Sequence, residues 1–467
     1  MIAAKRPIKR RRAMPAFRFA VLLTAMLAAA GPAAAQADLA RNLPVVRDAE
    51  IEQLLREYAQ PVLRIAGLAQ QNVRVVIINE RSFNAFVADG HRIFINTGAL
   101  TEAETPNQVI GVLAHETGHI AGGHLAKMRE QLANASTQSI LATILGVGAM
   151  VAASRGGSNA QNAGMAAITA PQEMIQRSLL AYQRAQEEQA DRAGVKFLTA
   201  TAQSPKGMYE TFKRLADQIM FIARTADPYV QSHPMPAERV ASLANLAQAS
   251  PYWDKKDSPE LQSRHDLMRA KLYGFLDRPD VVARRYPGSD TSLAARYARA
   301  ISAYRHSDLR VAIAQIDGLI QSQPNNPYFY ELKGQALLEG GKAAEAIAPL
   351  RHAVQLAPNP ALMQVMLGQA LIATNDPKAA EEAVTLLREA LTREPEVPEG
   401  YTQLAMAYGR KGDLAQADLA SAQAAAARGD MQTARDLATR AKTRFPVGTP
   451  GWVKADDLVA SKQGKSN

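Results

Sequence analysis

Prolines recur through the last third of this 467-residue chain at Pro287, Pro324, Pro358 and Pro395, and Gly334 returns one period later as Gly368. A period of 34 to 37 residues marks a stacked array of similar helical units, each burying its apolar face only against its neighbours. Each interval divides into two helices. In the clearest one, Tyr328 to Leu338 and Ala343 to Leu356 flank a Glu339-Gly340-Gly341-Lys342 turn, and Ala357-Pro358 ends the second helix. Ala336, Ala346 and Ala353 are small enough to let the pair pack closely. Residues 397–444 read as another pair plus a closing helix, with turns at Gly412-Asp413 and Gly429-Asp430. The expectation is an α-solenoid over 287–446, binding proteins but carrying no chemistry, and a C-terminal tail over 447–467.

Any chemistry must then lie upstream, and the donors available there are few. The chain has no cysteine and only eight histidines, so a metal site must be built from imidazole and carboxylate. Two of the histidines fall in His115-Glu116-Thr117-Gly118-His119, behind the helix-compatible run Val109 to Ala114. Four residues turn a helix by ~400°, so both imidazoles leave one face about a turn apart and can share one ion, with zinc the natural choice. Glu116 is placed to act as general base on a water that the ion polarises. Catalytic zinc takes three protein ligands and keeps one position open, so a third donor must follow. His124 would lie ~140° further round a continuous helix than His119, off the shared face, and reads as structural. Glu187 and Asp191, spaced i, i+4 on a predicted helix, offer a ligand and a carboxylate to orient an imidazole, although such acids also make an ordinary solvated face.

Ahead of this motif, apolar residues at helical spacing over 46–67 predict an amphipathic helix. Val73 to Ile78 is β-branched, and Asn84 to Leu100 alternates around the Asp89-Gly90 turn, predicting a small sheet with an antiparallel pair. From Thr105 onward helices dominate, with Gly156-Gly157-Ser158-Asn159 as a flexible loop. The apolar run Ile140 to Ala153 is shorter than the ~20 residues needed to cross a bilayer, and suits burial or a lid over a cleft.

The formal charge of +10 invites a nucleic-acid partner, but seven of the basic residues, from Lys5 to Arg18, lie in an acid-free N-terminal stretch, leaving +3 elsewhere. That is no basic footprint. The stretch reads instead as a secretory signal: a cationic start, apolar Phe19 to Ala30, then Ala33-Ala34-Ala35 with cleavage after Ala35. Without cysteine the exported chain has neither a lipid anchor on an N-terminal Cys nor disulfides.

The HETGH helix, the downstream Glu187-Glu188-Gln189-Ala190-Asp191 and the upstream Asn84-Ala85-Phe86 together resemble the M48 family of zinc metallopeptidases. The resemblance implies a mainly α chain: an α+β zincin-like M48 metallopeptidase domain with a small β-sheet, then the α-solenoid, whose units are similar to tetratricopeptide (TPR) repeats. It implies one Zn2+ per chain held by His115, His119 and Glu187, with Glu116 as general base and Asp191 behind a ligand. Asn84, Ala85 and Phe86 would form an edge strand that pairs with an extended substrate, core packing being the plainer role for Phe86. Ser232-His233-Pro234-Met235-Pro236-Ala237-Glu238-Arg239 is similar to a segment that lies over the zinc site in exported members, so His233 would fill the open metal position at rest and Arg239 would stabilise the oxyanion. The bare sequence is equally compatible with His233 capping a helix and Arg239 pairing at the surface.

The layout implied is a signal peptide over 1–35, the M48 domain over 36–250, a helical connector over 251–286, and the repeats. By resemblance such a protein works in the periplasm on unfolded or misassembled outer-membrane proteins, meets the barrel-assembly machinery through its repeat groove, and touches the membrane only peripherally. The competing reading is a TPR scaffold or chaperone with a latent metallopeptidase fold. Prenyl-protein peptidases of the family need several spanning helices, and no segment after the signal is long enough.

Overall fold

The computed structural model describes residues 43–134, 157–221, Tyr229 and 232–461. The signal reading of 1–35 and the apolar run Ile140 to Ala153 lie outside the described residues. The chain divides into two compact units, of which the larger runs over Leu43–His124 and Arg184–Lys465. The smaller contains Leu125–Gln183, whose described parts are a helical stretch over 125–134 and the first half of a long helix.

The larger unit opens with strand β1 (Val45–Val46) and helix α1 (Ala49–Ile65). Asp48 caps α1 by accepting a hydrogen bond from the Ile51 N–H at 2.9 Å, and Glu50 and Glu52 in the first turn suit the positive end of the helix dipole. Ile51, Leu54, Leu55, Tyr58 and Val62 follow at helical spacing and are all buried. Strands β2 (Arg74–Ile78), β3 (Ala85–Val87) and β4 (Arg92–Asn96) complete a sheet of order β1-β2-β4-β3. Strands β3 and β4 pair antiparallel, as β1 and β2 also do, and are joined at Gly90 with φ of 80°, where the Asp89 carboxylate accepts from the backbone N–H groups of His91 and Arg92. The run at 74–78 pairs parallel with β4, and the two-residue β1 is too short to carry a pattern in sequence. Strand β3 is an edge.

Helices α2 (Thr97–Glu102), α3 (Pro106–Ala121), α4 (Gly157–Ala200), α5 (Lys206–Phe221) and α6 (Ala237–Gln248) build the rest of the first core. Gly157, Ser158 and Asn159 lie in α4 rather than in a loop, and Gly156 lies outside the described residues. Two glycines bring helices together. A Cβ on Gly111 of α3 would stand 2.6 Å from Met208 Cα of α5, and one on Gly118 would stand 2.9 Å from the Ala190 carbonyl oxygen of α4.

Helices α7 (Pro259–Leu276) and α8 (Pro279–Arg285) occupy the region read as a connector. His265 of α7 is a satisfied core histidine: its ring nitrogens meet Tyr58 Oη at 3.2 Å and the Ala103 carbonyl at 2.9 Å, and burial lowers its pKa to about 4.

Ten more helices follow: α9 (Leu293–His306), α10 (Leu309–Ser322), α11 (Pro327–Glu339), α12 (Ala343–Leu356), α13 (Ala361–Ala373), α14 (Pro377–Arg393), α15 (Pro398–Arg410), α16 (Leu414–Ala427), α17 (Met431–Arg444) and α18 (Pro450–Ala460). Each recurrent proline stands two residues beyond a helix end, where it cannot continue the helix. The recurrent glycines mark close crossings: a Cβ on Gly334 would meet Leu350 at 2.3 Å, and one on Gly368 would meet Leu387 at 2.9 Å. Gly341, Gly412 and Gly429 turn between helices at positive φ, and Asn375 takes the same conformation at 61°. The stretch from 447 onward, read as a tail, contains α18, which starts with Pro450 after a Thr449 side-chain cap and packs Ala455 and Leu458 against Leu419, Ala441 and Phe445.

The N-terminus of α1 fits against the repeats. Ala49 is buried with Ala353 and Met363, and Arg74 pairs with Glu396 at 2.7 Å. No described helix is long and apolar enough to cross a membrane.

Candidate metal centre

Local sequence fixes the helix that carries the motif. Pro106 occupies the first turn of α3, Gln108 reaches back to accept from the Glu104 N–H at 2.7 Å, and Asn107 ties the helix to Ser204 and Gly207 at the start of α5. One turn apart on its inner face, His115 and His119 present their Nε2 atoms to each other at 3.0 Å. Gly118, lacking a side chain, lets α4 approach, which brings Glu187 Oε2 to 3.4 Å from His115 Nε2 and Glu187 Oε1 to 3.5 Å from His119 Nε2.

A fourth group enters from outside these helices. His233 Nδ1 lies 3.4 Å from His115 Nε2 and 3.0 Å from Glu187 Oε2, so one donor atom from each of the four residues falls within 4.8 Å of the others. Donors placed ~2.0–2.1 Å from a tetrahedral centre stand roughly 3.3 Å apart, so these spacings fit a single ion with nitrogen and oxygen ligands. The chemistry fits too: two of the donor nitrogens face each other, an arrangement that a shared cation or proton must hold together. His233 is fixed by its N–H donating to the Tyr229 carbonyl at 2.7 Å and by stacking on the Tyr229 ring, centroids 4.5 Å apart.

Around this set stand groups that orient it. Asp191 Oδ1 is 3.0 Å from His115 Nδ1, and Arg239 Nε and Nη2 bind the same carboxylate at 2.7 and 2.8 Å. Arg239 Nη1 also reaches Glu187 Oε2 at 2.9 Å and the Pro234 carbonyl at 3.0 Å. Arg239 is therefore buried in the site rather than paired at the surface. Phe212 walls one side, edge-on to His115 and beneath the Arg239 guanidinium.

The electrostatics follow from these contacts. Burial pulls the His115 pKa down, yet Asp191 and Glu187 outweigh it and hold it at about 9. Burial and the neighbouring His115 push His119 well down. Burial works to raise Glu187, but His233 and His115 keep it well below the usual carboxylate range. Glu116 stands apart: burial raises its pKa, and neither carboxylate oxygen has a hydrogen-bond partner, although Oε1 is 3.6 Å from His233 Nε2.

The structure thus gathers His115, Glu116, His119, Glu187, Asp191, His233 and Arg239. Asn84, Ala85 and Phe86 lie outside the cluster, where β3 contacts α3; Ala85 is fully buried and Phe86 stacks on Phe94. Gly118, Tyr229, Gln189 and His124 belong to the site without having been singled out for it. His124 Nδ1 lies 3.0 Å from His119 Nδ1.

Comparison with known proteins agrees with this geometry. Residues 46–247 match the model of peptidase family M48, and residues 297–361 match that of a tetratricopeptide repeat. The beta-barrel assembly-enhancing proteases of Yersinia pestis and of Escherichia coli (strain K12) are each 25% identical over 417 residues, covering 87% of this chain and 82% of the relative. Metalloprotease YcaL of Escherichia coli (strain K12) is 26% identical over 193 residues, 40% of this chain and 69% of that protein. The chain is a metalloprotease with a peptidase family M48 domain, followed by tetratricopeptide repeats.

Proposed function

We propose that this metalloprotease is a periplasmic zinc endopeptidase acting in quality control of outer-membrane proteins, cleaving misassembled chains and aiding the assembly of others. The observation that carries the chemistry is the convergence of His115, His119, Glu187 and His233 beside an unpartnered, buried Glu116. His115, His119 and Glu187 would hold one Zn2+, which when bound supplies Lewis acidity toward a peptide carbonyl and an attacking water. Glu116 takes the proton of that water and returns it to the leaving amine; its raised pKa suits both transfers. Asp191, held by Arg239, keeps the His115 ring turned with Nε2 inward. An extended substrate adds its backbone to Asn84 and, along the edge strand β3 that follows it, to Ala85 and Phe86, which gives affinity with little sequence preference.

In this reading His233 holds the resting site closed by filling the fourth position. Opening the 232–236 segment also takes the Pro234 carbonyl from Arg239 Nη1, which keeps Glu187, and the guanidinium can then turn a donor to a developing oxyanion. The signal peptide over 1–35 rests on the cationic and apolar pattern of those residues, and the limits at 36–250, 251–286 and 287–446 on the motif and repeat spacing; the periplasm and the barrel-assembly machinery as partner of the repeat groove rest on likeness to the beta-barrel assembly-enhancing proteases. The test is casein cleavage by wild type and His233→Ala, with zinc measured on both. A rise on the order of tenfold would mean that closure is worth about 1.4 kcal/mol. An unchanged or lower rate with zinc retained counts against self-closure.

A further inference from the structure

Helix α3 stops at Ala121, and the chain turns through Gly122 and Gly123, the latter at φ of 62°. That left-handed residue breaks the helical progression that would have carried His124 away from His119, and folds its ring back. Gly122 leaves the space: a Cβ there would stand 2.3 Å from His124 Nε2. The returned ring is buried, with Nδ1 at 3.0 Å from His119 Nδ1 and Nε2 at 3.3 Å from Gln189 Oε1, while Gln186 Nε2 donates to the His124 carbonyl at 3.2 Å.

Two imidazole nitrogens in contact need one proton between them, and its place decides what His119 offers the site. With the proton on His119 Nδ1, His124 Nδ1 accepts it, His124 Nε2–H donates to Gln189 Oε1, and His119 Nε2 is left as a lone pair facing His115 and Glu187. The opposite arrangement puts a proton on His119 Nε2, aimed into the cluster, and sets the His124 Nε2 lone pair against the Gln189 oxygen. Only the first leaves a lone pair on His119 Nε2 for a cation, and it matches the Gln189 Oε1 placed 3.3 Å from His124 Nε2.

We propose that His124 is a positioning residue for the metal site, fixing through the His119–His124–Gln189 relay the ring orientation and tautomer in which His119 can bind a cation. The inference rests on the proposed metal-site reading and adds to it an unlike pair of supports, since His115 is backed by the Asp191 carboxylate and His119 by an imidazole. Loss of such an outer partner weakens metal affinity about 10- to 100-fold.

The test is zinc affinity by chelator competition, on full-length chain, for wild type, His124→Leu, His124→Asn, Gln189→Leu and His119→Ala. His124→Leu is expected to lose affinity about 10- to 100-fold. His124→Asn, whose amide oxygen sits close to where Nδ1 was, is expected to recover most of it, and the exposed Gln189→Leu to lose a smaller factor in the same direction. Equal affinity in His124→Leu and wild type overturns the relay, as does an Asn variant as weak as the Leu variant, since a merely structural histidine would not be rescued by an acceptor. Should His124→Leu not fold, the Asn and Gln189 variants decide. Unchanged affinity in His119→Ala would overturn the metal-site reading itself.

Discussion

Glu116→Gln is expected to lower casein cleavage by about 10²–10⁴-fold, the usual worth of a positioned general acid–base group, with fold and metal content kept. The geometry gives both halves of that expectation. Neither Glu116 oxygen is engaged in a hydrogen bond, so an amide of the same shape breaks no structural contact. Nor is Glu116 among the four residues whose donor atoms converge, so the ion should stay. What disappears is a buried carboxylate able to take and return a proton. Initial rates and metal content of the two proteins, measured together, check it; a rate within threefold of wild type would remove Glu116 from the chemistry, and a metal-free variant would make it a ligand instead.

Lys271→Met is expected to cost about 3–5 kcal/mol of stability, as does breaking a buried ion pair on one side. Lys271 sits on α7 with its Nζ 2.8 Å from Asp48, 3.1 Å from Glu50 and 3.9 Å from Glu331 of α11, and Tyr297 Oη donates to Glu50 at 2.8 Å. One ammonium thus joins the start of α1, the connector and the repeats, and its removal leaves buried Glu50 and Glu331 crowded with the half-buried Asp48. A urea-unfolding loss under 1 kcal/mol would contradict this. Glu331→Gln should behave differently. Burial first, then Asp48 and Glu50, raise the Glu331 pKa to about 8 against the pull of Lys271. The folded state alone holds that proton between the ordinary value of 4.5 and about 8, so stability falls as pH rises through that window. The amide removes this slope, and its benefit should be greatest above pH 8.

What the sequence disclosed was governed by range. The spacing of His115 and His119 is a property of one helix turn, and the paired helices of the repeats are equally local, so both were legible. Glu187 could be ranked above other acids only through resemblance, because an i, i+4 acidic pair does not say what it faces. His124 was read as lying off the ligand face, and it is not among the converging donors, but its contact with His119 was hidden because the ~140° argument assumes a continuous helix; the Gly122-Gly123 pair that ends it was in plain view. The Lys271 cluster had no signal at all: its partners stand 223 residues before it and 60 after it, and only the docking of α1 on the repeats unites them. Helix α18 was missed although Thr449-Pro450 is a good helix start.

The most direct measurement is the metal content of the full-length chain purified without added metal, by mass spectrometry, in wild type and His119→Ala. The account predicts about one zinc per chain in the first and a loss of it in the second, in line with a single site of three protein ligands. Wild type without stoichiometric metal even after zinc is supplied, or a His119→Ala chain as fully loaded as wild type, would contradict it.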